Sequence, residues 1–169
     1  MAVTPAGTPY VESSDNVADY PGVSLALANH IDGLDGGKVL QVVSATTNTQ
    51  VNTTSATFVT SGLTATITPT STSSKVLIIT SMSIRSTSNV GYVTLFRGSV
   101  AGTNLVTNTG LIVIYTGGNV YGNGSTNFLD SPATVSAQVY TVGIRSAGGS
   151  TTTAQVDNTS SMVLMEIGA

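Results

Sequence analysis

Beyond Gly36-Gly37 the side chains of this chain alternate with a period of two, and that alternation most constrains what it can fold into. Between positions 75 and 85, Val76, Ile78, Met82 and Ile84 fall on one face and Leu77, Ile79, Ser81, Ser83 and Arg85 on the other. One face is core. The opposite face begins apolar and ends polar, as in a strand partly covered by a second sheet or by a neighbouring subunit. Strands are predicted over 38–46, 56–61, 63–68, 75–85, 91–98, 111–115, 135–145, 154–156 and 161–167. Turn signals separate them: Ser61-Gly62, Pro69 with its Ser/Thr run, Ser88-Asn89, Gly98 onward, Gly117-Gly118 and Gly148-Gly149. Short strands without βαβ alternation imply an all-β fold, an antiparallel β-sandwich of jelly-roll-like type over residues 38–169. The Cys and Trp hallmarks of antibody domains are absent.

Residues 1–37 read differently. Up to about Ser14 there are two prolines, a glycine and no periodicity, which predicts an extended N-terminal arm. One short helix is expected over about 21–32: Asp19 is placed to cap it, Pro21 sits near its first turn, and Val23, Leu27 and Ile31 recur at i, i+4, i+8. Gly33 stops it. Three turns are marginal alone, so this narrow apolar stripe needs a partner surface and makes the segment a candidate docking helix. Charge sets the arm apart as well. Residues 1–37 carry five acids and no Lys or Arg, whereas the remainder carries three acids and five bases.

Composition narrows the function. Charged residues make up 8% of the chain against the roughly 25% usual in soluble domains, so hydroxyls and amides must solvate the surface. Disorder goes with low hydrophobicity and high net charge, and here hydrophobic residues reach 40% with a net charge of -3. With no Cys there is neither a disulfide framework nor a thiolate metal site. Five scattered bases make no patch for nucleic acid, and no run approaches the length that spans a membrane. The start of the chain lacks the basic and apolar pattern of a signal peptide.

Catalysis needs convergent titratable groups, and few are present. His30 is the sole histidine and reads as a packing or capping residue on the arm. The body acids are Asp130, Asp157 and Glu166; the contexts Asp130-Ser131-Pro132 and Asp157-Asn158-Thr159 predict turn roles. Asp32 and Asp35 among glycines lack the alternate-position acids of a calcium loop, and read as a helix stop followed by a hinge. The segment 117–124 lacks a P-loop ending and is expected to be a surface loop; Tyr121 and Asn123, with Tyr115 nearby, are its candidates for touching a sugar or receptor. Arg85, Arg97 and Arg145 lie at or near the ends of three strands, and Glu166 is the strand acid placed to answer them in an intersubunit charge cluster. No cofactor or metal is expected, and the chain reads as non-enzymatic.

Several segments in order resemble a known group. Asp15-Asn16-Val17-Ala18-Asp19-Tyr20-Pro21-Gly22-Val23 leads through Ser24-Leu25-Ala26-Leu27 to Gly37-Lys38-Val39-Leu40-Gln41-Val42. Gly62-Leu63-Thr64-Ala65-Thr66-Ile67-Thr68-Pro69, Ser73-Ser74-Lys75-Val76-Leu77 and Met162-Val163-Leu164-Met165-Glu166-Ile167 follow. Together they resemble small structural proteins of tailed bacteriophages, described as tail-fibre or virion-surface proteins. The resemblance implies a virion-surface component whose arm docks on capsid or tail proteins and whose β-domain, a homotrimer, projects outward. At 169 residues there is no room for a long repetitive shaft, so a capsid decoration (cement) protein or a short head or tail fibre is expected. The alternative is a tail-fibre tip module that binds a receptor or host surface glycan.

Overall fold

The structure, a computed structural model, describes residues 2–5, 9–10, 20–32, 38–87, 90–106, 109–115 and 117–168. In the arm, β1 (Ala2–Val3) pairs antiparallel with β2 (Pro9–Tyr10), and α1 spans Tyr20–Asp32 with Pro21 in its first turn. The helix therefore lies where its i, i+4 pattern predicts.

The body runs β3 (Val39–Thr47), β4 (Val51–Thr53), β5 (Val59–Ile67), β6 (Lys75–Ser86), β7 (Gly91–Arg97), β8 (Thr103–Asn104) and β9 (Ile112–Ile114). It continues with β10 (Val120–Asp130), β11 (Gln138–Ser146), β12 (Thr152–Ala154) and β13 (Ser160–Ile167). All pairings are antiparallel. In the first sheet β10 lies along one edge of β6, while β13 and β12 lie end to end along the other, flanked by β3 and β4 respectively. In the second sheet β5, β11 and β7 follow one another, and β8 and β9 share the far edge of β7. Counting each end-to-end pair as one strand, each sheet is four strands wide. The first holds strands first, eighth, third and sixth in chain order, and the second holds second, seventh, fourth and fifth. That is the order of a double-sheet jelly roll, which two Greek keys generate.

The core lies between the sheets, where the inward positions of the central strands are mainly apolar. Ile78, Met82 and Ile84 of β6 and Leu164 of β13 face Leu95 of β7 and Val142 of β11, all essentially without solvent exposure. Alternation along β5 and β13 is almost strict, as expected for sheets packed on one face.

Two expectations are corrected. The predicted strands 56–61 and 63–68 are one strand, β5, which runs through Gly62. That glycine takes φ +82°, and the register against β11 slips between Thr141 and Gly143, so Ser61-Gly62 is a bulge inside a strand. More consequentially, the expected glycine-rich surface loop 117–124 is, from Val120 on, the start of β10, which pairs with β6 over eleven residue pairs. Its inward positions include Gly122 and Gly124. A Cβ at Gly124 would stand 2.6 Å from Ile112 Cδ1, and one at Gly122 would stand 3.2 Å from Ile114 Cδ1. The glycines are there because β9 packs directly on this strand.

Candidate functional site

The outer face of the first sheet can be read row by row from the strand registers. Where the chain enters the body, Ile167 of β13 lies between Lys75 and Val39. The next row is Leu129, Leu77, Met165 and Val42, across β10, β6, β13 and β3. Asn127, Ile79, Val163 and Ser44 follow, then Ser125, Ser81, Ser161 and Thr46. Val39, Leu40, Val42 and Leu129 are between 41% and 56% exposed, and Leu77, Ile79, Val163 and Met165 are half-buried. A contiguous apolar block therefore occupies the entry end of this face. Isolated surface apolar residues are ordinary, but a block of this kind marks an interaction surface.

Toward the other end the same face becomes polar. Tyr121 and Asn123 point outward from β10 opposite Arg85 and Ser83 of β6, and the turn between β12 and β13 lies against them. Two depressions of about 390 and 240 Å³ meet at Asp157 and Asn158 of this turn. Asn48, Gln50 and Thr159 line the first, and Ser83, Tyr121 and Asn123 the second. The turn is tightly held. Gln155 and Asp157 take φ +56° and +52°, unusual for residues with a side chain. The Gln155 N–H donates to the Ser83 carbonyl at 2.9 Å, and Ser83 Oγ donates to the Val156 carbonyl at 3.0 Å. With its buried amide oriented to satisfy the network, Gln155 also donates to the Ser61 and Thr49 carbonyls at 3.1 and 3.2 Å. Asp157 lies in this turn through its left-handed backbone, and the bonds that hold the turn come from Gln155 and Ser83.

Each residue of the predicted charge cluster has its own partner within the chain. Arg97 donates to Asp130, with Nε 2.8 Å from Oδ2 and the second nitrogen on Oδ1, and Tyr140 Oη donates to the same Oδ2 at 2.7 Å. Arg97 and Tyr140 are cross-strand neighbours in the second sheet, whereas Asp130 ends β10 in the first. The triad therefore ties the two layers together, and the expected turn role for Asp130 is overturned. Burial first, and then the Asp130 carboxylate, raise the Tyr140 phenol above its usual range, which keeps it a donor.

Arg145 stacks over Tyr92, 3.8 Å from the ring centroid, and over Phe58 at 5.2 Å, beside a cleft of about 500 Å³. Arg85 donates to Tyr121 Oη at 3.3 Å and Thr153 Oγ1 at 3.4 Å. Glu166 is fully buried at the entry end, accepting from Gln41 Nε2 at 2.6 Å and from the Thr70 N–H and hydroxyl at 2.7 Å each. Burial raises its pKa, but hydrogen bonds from Gln41 and then Thr70 outweigh this and hold the carboxyl at about 2.

Asp130 and Glu166 both register with Val76 from opposite sides, so they share one inward row. A glycosidic carboxylate pair needs an open groove with water between its members. Here both side chains are buried and their oxygens are taken up by the partners just named.

On α1, Val23 is buried while Leu25 and Leu27 are 63% and 36% exposed. The side chains of Ile31, His30 and Asp32 lie outside the described residues, as does Asp35. Tyr115 is 84% exposed and lines neither depression beside Tyr121 and Asn123. Sequence reasoning missed the recognition-type groups brought to Tyr121 from afar, Ser83, Asp157 and Asn158, because only the sheet register unites them. Among the described residues no three His, Cys, Asp or Glu side chains group to hold a metal ion.

No protein-family model matches the chain, and no curated protein matches it in sequence. Among solved structures it is similar to a chain of the "Structure of infectious bursal disease virus Gx strain", with a TM-score of 0.41 and 10% identity. The match covers 78% of this chain and 39% of that one, so this chain spans well under half of its neighbour's length.

Proposed function

We propose that this protein is a non-enzymatic structural component of a bacteriophage virion surface, a capsid decoration protein or short fibre that assembles as a trimer. Residues 1–37 dock on capsid or tail proteins, and the jelly roll projects from them. One observation carries the reading: the outer face of the first sheet is apolar at the end where the chain enters the body and polar at the opposite end. An exposed apolar block at the end where the chain enters the body favours burial against copies of the same chain at the particle. The polar end is suited to water. In a closed trimer three weak arm contacts also reinforce one another through effective concentration.

Light scattering on the purified chain tests the assembly step, and co-sedimentation with particles lacking this protein tests docking. Three chains per particle of protein in solution are expected, falling to one in Val42→Lys/Leu129→Lys, whose side chains are half exposed and outside the core. Leu25→Lys/Leu27→Lys on α1 should abolish co-sedimentation while leaving the trimer intact. A wild-type monomer that never associates with particles refutes the proposal.

A further inference from the structure

The polar depression at the far end of the first sheet has the makings of a ligand site that neither assembly nor docking uses. Its lining supplies amides from Asn48, Asn123 and Asn158, a hydroxyl from Thr159 and one carboxylate, Asp157, with no cationic side chain. Such a set gives and takes hydrogen bonds with adjacent hydroxyls, and its single negative charge repels anions. Beside it stands an aromatic plane. Tyr121 is 55% exposed, yet its ring is held by Arg85, which donates to the phenol oxygen and sits 5.5 Å from the ring centroid. The turn bearing Asp157 and Asn158 is built rather than loose, since two left-handed residues are pinned by Ser83 and by the buried Gln155 amide. Backbone strain of this kind persists only where the surroundings over-determine it, and it gathers at ligand clamps.

We propose that this depression binds a neutral or N-acetylated saccharide, with one pyranose face on Tyr121 and its hydroxyls on Asp157, Asn158 and Asn123. Preorganised polar groups around an aromatic surface lower the ordering cost of binding, which lets a shallow site hold a small polar ligand. Acidic sugars are disfavoured, because their carboxylates would face Asp157 while Arg85, beside Tyr121, is outside the lining and engaged by Tyr121 and Thr153. The inference goes beyond the assembly reading; the site itself does not rest on it, and only the choice of a bacterial polysaccharide as the polymer does.

The test uses the full chain on an array of neutral, N-acetylated and acidic glycans, followed by titration of the best binders as free oligosaccharide and as bacterial surface polysaccharide. The two titrations separate a small-sugar site from one that needs the polymer, and saturable binding in either supports the proposal. Tyr121→Ala is expected to weaken binding about tenfold, equivalent to the loss of one aromatic contact, and Tyr121→Phe to stay within about twofold. Asp157→Asn, which keeps a residue tolerant of the left-handed backbone, is expected to lose about fivefold or more. Tyr115→Ala should bind as wild type. The proposal is overturned if no neutral or N-acetylated glycan binds saturably, if acidic glycans alone bind, or if binding survives Tyr121→Ala and Asp157→Asn together in a protein that still melts as wild type.

Discussion

Replacing Asp130 by Ala removes the acid that joins the two sheets, and its cost can be worked from what it leaves behind. The Tyr140 hydroxyl, with no solvent exposure, loses its acceptor, and the Arg97 guanidinium, 29% exposed, loses its counter-ion. An orphaned buried hydroxyl costs about 1–3 kcal/mol, and breaking a buried ion pair about 3–5 kcal/mol. Because Arg97 keeps access to water, its share falls from the buried-pair range to about 1 kcal/mol, and with the orphaned hydroxyl the total is about 2–4 kcal/mol. For a domain of this size that is a fall of about 4–16 °C in melting temperature. Thermal melts followed by circular dichroism, at one fixed protein concentration since oligomers melt concentration-dependently, measure it. Asp130→Asn keeps an acceptor for Tyr140 and should lose about half as much. The triple replacement Arg97→Met, Asp130→Leu, Tyr140→Phe removes every polar partner at once and should lie within about 2 kcal/mol of wild type. If Asp130→Ala melts within about 2 °C of wild type, or the triple variant is as unstable as the single one, the cross-tie is not what holds these ends together.

Four further outcomes follow from the same geometry. Glu166 titrates at about 2 in the fold against an ordinary 4.5, so its contribution is fully present above about pH 4.5 and is lost as pH falls toward 2. Acid titration of stability should show a loss of about 1–3 kcal/mol across that window, absent in Glu166→Gln. Thr80 faces the core between Ile78 and Met82 with a hydroxyl that has no partner among the described residues, so Thr80→Val should raise stability by about 1 kcal/mol in urea unfolding. Gly124→Val drives a side chain into Ile112 and should cost about 1–3 kcal/mol. Gly118→Ala, with nothing within 4 Å, should change stability by less than about 0.5 kcal/mol by the same measurement.

The sandwich and the helix were legible because their signals are local: period two beyond Gly37, and Val23 and Leu27 at helical spacing with Pro21 ahead of them. The sixth strand of the roll was not. Gly122 and Gly124 look like loop residues until Ile112 and Ile114 are known to press on them from the other sheet. Once 117–124 is read as a loop and no strand is placed before 135, Asp130 falls outside any strand and is assigned to a turn. Carrying the alternation through the glycines puts Gly122, Gly124, Thr126, Phe128 and Asp130 on one inward face, where a charge demands a partner. The four charged residues grouped from strand ends separate for a related reason. Strand position in a sequence says which end of a strand a residue occupies, but not which layer or which row. Arg97 and Asp130 meet across layers, while Glu166 turns inward to Gln41 and Thr70.

The two surfaces on the first sheet are linked by their spacing along β6. Leu77 and Ser83 are six residues apart, about 20 Å at the rise of a strand, so the apolar block and the polar depression share one face without overlapping. Chain entry at Lys38, held to the last strand by the Gly168 N–H donating to its carbonyl at 2.9 Å, lies at the apolar end. A symmetric assembly that buries the apolar block against its copies would then gather the arms on one side and present every polar depression on the other. Each depression alone is shallow and would hold a sugar weakly. Three of them, fixed on a common rim, would convert later contacts with a repeating polysaccharide into intramolecular events and raise avidity about 10²–10⁴-fold without any new contact. The monomeric Val42→Lys/Leu129→Lys variant separates these effects. It should keep wild-type affinity for free oligosaccharide and lose avidity for the polymer. Equal loss of both would mean that the depression is completed by a neighbouring subunit rather than by this chain alone.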